Sequence, residues 1–208
     1  MKMTSAQKSL CCFFLLAILH SLQAFRDAET GLYTTRWVLV KGGSLEVKGS
    51  TNINNFTCGI TGYSNPDTIV VFRAPGDRDA VSLRGSLSLD VKLFDCRNPV
   101  MTGDLRKTLK SKDHPKLKIR FLSLSKFPDL SSQPDNIRGL VDIELAGVSK
   151  RFEVNYRFYR DQQKIIRLIG ERDVNFTDFN LSPPRKLGGM IQTDNRLRVQ
   201  FQLGMKAL

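Results

Sequence analysis

Apolar and polar residues alternate with period two through nearly every segment from residue 44 onward. In one run Leu83, Gly85, Leu87, Leu89, Val91 and Leu93 fall on one side, and Arg84, Ser86, Ser88, Asp90 and Lys92 on the other. The pattern returns in Leu117-Ile119-Phe121, Ile137-Gly139-Val141-Ile143-Leu145, Phe152-Val154-Tyr156-Phe158 and Leu197-Val199-Phe201-Leu203. Successive side chains of a strand point to opposite faces, so each run reads as a strand with one dry and one wet face. So many one-sided strands in a chain of 208 residues must share one enclosed interior. A closed antiparallel barrel of eight or more strands supplies it and leaves no free edge, and a two-sheet sandwich is the alternative.

The first 24 residues read differently. Lys2 and Lys8 precede an unbroken apolar run, Leu10 to Leu19, and Ser21-Leu22-Gln23-Ala24 ends in a small residue. This is the layout of a secretory signal peptide cleaved near Ala24. The apolar run is shorter than the roughly 20 residues of an ordinary membrane span. Its removal takes away two lysines and lowers the net charge from +12 to +10. The basic residues are scattered over wet faces, as in Lys116, Lys118 and Arg120 or Arg196 and Arg198. That distribution suits a solvated surface rather than a dedicated anion-binding patch. Cys58 and Cys96 are the two cysteines left after cleavage, and an even count in an exported chain suggests one disulfide.

Strands are expected near 36–40 and 44–49, over 56–63, 68–73 and 82–95, then near 116–126, 136–146, 150–160, 164–176 and 195–205. Ala74-Pro75-Gly76-Asp77 ends one strand, and Ala146-Gly147-Val148-Ser149 joins two others as a tight hairpin. Between 99 and 111 the period changes: Met101, Leu105 and Leu109 recur every four residues, after Asn98 and Pro99. This predicts one short amphipathic helix at an end of the sheet system, with Lys107 and Lys110 near its C-terminus. Phe176 to Pro184 breaks the alternation and reads as a turn of helix followed by a loop.

Catalytic signals are sparse. His114 is the one histidine outside the leader, and a surface or helix-capping place accounts for it. The sequence has no Gly-x-Ser-x-Gly motif, CxxC pair or phosphate-cradling glycine loop. Asp178 and the Glu171-Arg172-Asp173 run suit turn capping and local ion pairing. Asn55-Phe56-Thr57 and Asn175-Phe176-Thr177 match glycosylation sequons, which matter only in a eukaryotic secretory route. No catalytic residue, metal ligand or cofactor is assigned.

Met101 to Ser111, followed by His114-Pro115-Lys116-Leu117-Lys118-Ile119-Arg120-Phe121, resembles a stretch of the YceI-like family. Gly139 to Phe152 is similar to that family's hairpin. Asn52-Ile53-Asn54-Asn55-Phe56-Thr57-Cys58, Thr177-Asp178-Phe179, Pro183-Pro184-Arg185 and Gly188-Gly189-Met190-Ile191 resemble features of its Bacteroidota members. The resemblance spans about 44–205. It implies an all-β, eight-stranded, lipocalin-like antiparallel barrel that is periplasmic or secreted and binds a polyisoprenoid or related amphiphile along its axis. The better-studied branch carries histidines where this chain has Val40-Lys41-Gly42-Gly43-Ser44 and Met101-Thr102-Gly103-Asp104-Leu105. Its headgroup contacts therefore do not transfer.

The domain reading is a signal peptide over 1–24, a leader and first strand over 25–43, and the barrel over 44–208. The expected function is non-catalytic binding of a lipid or isoprenoid. The tail would contact Leu87, Leu89, Val91, Ile119, Phe121, Val141, Ile143, Val154, Tyr156, Phe158, Val199 and Phe201, with Lys107 or Lys110 meeting a headgroup. Gly85 and Gly139, among larger dry-face residues, suggest open space. A membrane surface and a second copy of the chain are further partners to consider; nucleic acid is not expected. The competing readings are a basic envelope-interaction module with a filled core and a lipid-acting enzyme.

Overall fold

A computed structural model describes residues 33–73 and 79–208. The expected signal peptide and the turn at 74–77 lie outside the described residues. The strands are β1 (Tyr33–Ser50), β2 (Asn55–Tyr63), β3 (Thr68–Arg73), β4 (Asp79–Asp90), β5 (Lys116–Lys126), β6 (Asp135–Leu145), β7 (Val148–Arg160), β8 (Ile166–Asn175) and β11 (Arg196–Ala207). A minor ribbon pairs β9 (Arg185–Lys186) with β10 (Ile191–Gln192), and the helix α1 spans Pro99–Thr108.

All pairings are antiparallel, and the sheet closes where β1 meets β11, from Trp37 opposite Ala207 to Lys48 opposite Arg198. The barrel has eight positions around its circumference, because β2 and β3 share one. The first part of β1 (Tyr33 to Val38) pairs with β3, and its last part (Gly43 to Ser50) pairs with β2. The register slips between Val40 and Ser44, where Gly42 takes a φ of 98° that favours glycine. The two strands expected at 36–40 and 44–49 are thus one bulged strand. It crosses the expected 43/44 boundary and buries Trp37 and Leu39 in the barrel.

A second correction concerns the strand expected over 82–95. β4 stops at Asp90, and Val91–Leu93 form a 3-10 turn. Val91 remains buried, but Leu93 turns outward and is 57% exposed. The turn carries the chain toward β2, where Gly59 and Asp95 exchange both backbone hydrogen bonds at 2.9 Å. Cys58 and Cys96 form the expected disulfide beside them. β3 does not extend to this end of β4, so bridge and disulfide together close the wall there.

Wet faces carry ladders of directly opposed ion pairs: Lys116 with Asp90, Lys118 with Glu144, and Arg151 with Asp142. Such exposed pairs contribute little stability each, and they keep the outer face polar. The β6–β7 hairpin turns on Ala146 and Gly147, both at positive φ (52° and 82°), a two-residue turn whose twist matches the strands. His114 lies against this turn: a β-carbon on Gly147 would come within 2.7 Å of its ring. The ring therefore packs on the turn rather than capping the helix.

Candidate functional site: an apolar cavity under the helix

The interior differs from end to end. Around Trp37 it is filled by rings in succession. Trp37 and Phe158 have centroids 5.8 Å apart, Phe158 and Tyr156 5.9 Å, Tyr156 and Phe201 6.0 Å, and Phe201 and Phe121 6.2 Å. These tilted and edge-on arrangements are favourable ones for aromatic pairs. The glycines that suggest open space are occupied instead. A β-carbon on Gly139 would fall 2.7 Å from the Tyr156 ring and 2.9 Å from Leu124, and one on Gly85 would fall 2.7 Å from the Thr68 carbonyl oxygen. Gly170 likewise lies directly against the Phe201 ring. Glycine here admits a large neighbour or a close backbone, not a ligand.

At the other end, under α1, an apolar cavity of about 70 Å³ remains. Its walls are Leu45 and Val47 of β1, Leu117 and Ile119 of β5, Ile143 and Leu145 of β6, Val174 of β8, and Leu197 and Val199 of β11. Leu105 and Leu109 of α1, Phe94 and Phe179 complete it. Every lining residue is aliphatic or aromatic. Above it lies a pocket of about 300 Å³, lined by residues including Phe56, Cys58, Val100, Met101, Asp104, Pro184, Lys186 and Ile191. Val47, Leu105 and Leu197 line both spaces and form the partition between them.

The helix is held in place by specific polar contacts. The Asn98 side chain accepts the Met101 N–H at 3.0 Å, Pro99 supplies the first turn, and Lys110, at a φ of 52°, follows the end. Buried Thr102 Oγ1 accepts the Cys96 N–H at 2.9 Å, and the Arg106 guanidinium donates to the Phe94 carbonyl at 2.9 Å. Lys186 and Asp104, 2.6 Å apart, join the β9 segment to the helix across the pocket. Opposite, the 3-10 turn Phe176–Phe179 sends Phe179 into the cavity and Phe176 into the pocket wall. Asp178 fixes this turn by accepting the Asn175 N–H at 2.8 Å and pairing with Lys150. Burial raises its carboxyl pKa, but the Lys150 hydrogen bond, the Asn175 N–H and nearby positive charge together bring it below the usual aspartate value.

The expected contact residues divide between the cavity and the packed core. Ile119, Ile143 and Val199 line the cavity. Leu87, Leu89, Val91, Phe121, Val141, Val154, Tyr156, Phe158 and Phe201 are buried in the packed core and line neither space. Lys107, on the helix, and Lys110, just beyond it, are exposed and line neither space; the cation at the pocket is Lys186. Sequence periodicity gives no sign of Phe94, Phe179 or Lys186, because each reaches the site from a non-strand segment or a two-residue strand.

The Tyr156 hydroxyl is fully buried and makes no hydrogen bond with the described residues. Burial pushes its pKa far above the ordinary tyrosine value, so it stays protonated near neutral pH.

No protein-family model and no curated protein matches the chain. Solved structures do. A polyisoprenoid binding domain from Saccharophagus degradans, implicated in plant cell wall breakdown, superposes with a TM-score of 0.55 at 11% identity. That likeness covers 83% of this chain and 98% of the other. BcnA of Burkholderia cenocepacia matches with a TM-score of 0.55 at 10% identity, over 78% of this chain and 95% of the other. The likeness is one of fold, and by it this chain has the closed eight-stranded antiparallel barrel that its YceI-like sequence features imply.

Proposed function

We propose that the protein is a non-catalytic carrier of a slender amphiphile, with a branched, isoprenoid-like tail as the best fit. The observation that carries this reading is the wholly apolar cavity beneath a larger pocket with an ion pair at its side. Burial of apolar area would supply the affinity, at roughly 25 cal/mol per Å² before ordering costs. The cavity volume is about 70 Å³, roughly half the size of a protein cavity that takes a benzene ring, ~150 Å³. The tail end therefore occupies the cavity, and the rest of the molecule passes the Val47, Leu105 and Leu197 partition into the outer pocket. The solid aromatic end argues against a long chain along the full axis. The name of the Saccharophagus degradans domain supports an isoprenoid tail. The partners in this reading are the amphiphile and the membrane it comes from. Export with cleavage near Ala24 belongs to the same proposal, and it is checked by the N-terminal mass of protein recovered from its own cell envelope.

The direct test is titration of delipidated protein with a fluorescent prenyl alcohol. Wild type should bind saturably. Val199→Phe and Ile143→Phe, which fill the cavity from half-buried positions, should weaken binding at least about tenfold while keeping a cooperative melt. Equal affinity in both folded variants would overturn the reading.

A further inference from the structure

Exposed large apolar side chains are unevenly distributed. Eight occur among the described residues, and Ile53, Leu93, Val100, Leu187 and Met190 all lie at the helix end. Four of them, each between 66% and 70% exposed, belong to the outer pocket's margin: Val100 lines it, and Ile53, Leu187 and Met190 adjoin the lining residues Asn54, Lys186 and Ile191. They come from three segments far apart in sequence, which the fold joins. Asn52 beside Ile53 donates to the Met190 carbonyl at 2.8 Å and accepts the Gln192 N–H at 2.9 Å. Leu187 follows Lys186, which is paired to Asp104 of the helix that carries Val100. Around these tips stand exposed Arg97, Lys107, Arg185 and Lys186. Of the nearby acids, Asp104 is paired with Lys186, Asp95 accepts the Arg97 N–H at 2.8 Å, and Asp194 accepts a hydrogen bond from Ser50.

We propose that this rim is a docking surface for an anionic phospholipid bilayer. The four apolar tips enter the headgroup layer, and Arg97, Lys107 and Arg185 meet lipid phosphates. Isolated exposed hydrophobics need no explanation, but a cluster of them at the margin of a pocket that lies above an apolar cavity does. The net charge, +12 for the full chain and +10 after cleavage near Ala24, complements such a surface. The proposal rests on the carrier reading for its purpose: the rim places the pocket opening against the membrane, so an apolar tail need not cross water. The surface itself can be tested without that reading.

The experiment is vesicle flotation of the ligand-free protein at low and high salt. One set of vesicles is phosphatidylcholine alone; the other contains equal parts phosphatidylcholine and phosphatidylglycerol. Wild type should float with the anionic vesicles at low salt and lose most of that binding at high salt. The triple variant I53S/L187S/M190S, which spares every residue that lines the pocket or the cavity, should bind at least about tenfold more weakly. A control, L140S/L208S, removes exposed apolar groups elsewhere and should bind as wild type does. Both variants touch only exposed positions, and their melting curves verify folding. Failure of wild type to float with either vesicle overturns the proposal. So does equal binding by the triple variant, or a rim that binds a copurifying protein but no vesicle. Prenyl-alcohol affinity of the triple variant is measured in parallel. Retained affinity with lost flotation separates docking from pocket binding, and retained flotation in Val199→Phe separates them in the other direction.

Discussion

The two ends of the barrel are built from the same strands and contain different interiors. Near Trp37, rings meet across the axis and glycines accommodate them, so the space is filled. Under α1 the inward residues are mainly Leu, Ile and Val, and a cavity remains. Eight-stranded barrels are just wide enough for side chains to fill the interior or to hold one small ligand. Here side-chain size selects the outcome at each level along one axis: aromatic residues make a rigid base, and aliphatic residues leave room.

The largest effect should come from cutting the base. Phe158→Ala should cost about 3–5 kcal/mol in denaturant unfolding, because its neighbours are ring-packed and cannot collapse far. Ile143→Ala, half-buried beside existing space, should cost roughly half as much. Equal losses would break the contrast between the two ends. Next, C58S/C96S should destabilise by about 2–4 kcal/mol, read as a lower melting midpoint than the oxidised wild type. Since the bond ties the wall at the cavity end, prenyl-alcohol affinity should fall with it while near-ultraviolet signals of the aromatic end persist below the melt.

A smaller change of opposite sign is expected from Tyr156→Phe. A buried hydroxyl without a partner costs stability, so its removal should be neutral or stabilising by up to about 1 kcal/mol. A clear loss would show that the hydroxyl has a bound-water partner and that the base is not dry. The smallest effect concerns acid. Asp178 has a lowered pKa in the folded protein, so its contribution is complete above the unfolded aspartate value, about 3.9, and fades as pH falls through the folded value. Asp178→Asn should flatten the decline of the melting midpoint below pH ~4 and lower stability slightly at neutral pH. An unchanged acid slope would dissociate the 3-10 turn from this carboxylate.

Strand positions were legible in the sequence because a one-sided strand must alternate; β5 ends at the expected 116 and 126. The disulfide and α1 were legible for similarly local reasons, the cysteine count and a change of period. The site was less so. Alternation tells which face is dry but not whether opposing dry residues touch, and that depends on cross-barrel distances. Tyr156 and Ile143 therefore read alike in sequence, although one lies in the packed base and the other beside a cavity. Gly139 was misleading because a missing side chain can admit a ligand or a ring. Leu93 kept the alternation in sequence after the backbone had left the strand at Asp90.

The bulged first strand has a consequence for the order of folding. β1 is bonded to β3 and β2 on one side and to β11 on the other, with Trp37 opposite Ala207. Local hairpins such as β6–β7 can form early, whereas the β1–β11 closure joins residues 150 to 170 positions apart and carries the full entropy of that loop. Until β11 arrives, β1 and β8 both present unpaired edges. Barrel closure is then the final, slow step, and any factor that guards the chain during biogenesis must shield those two edges until it occurs.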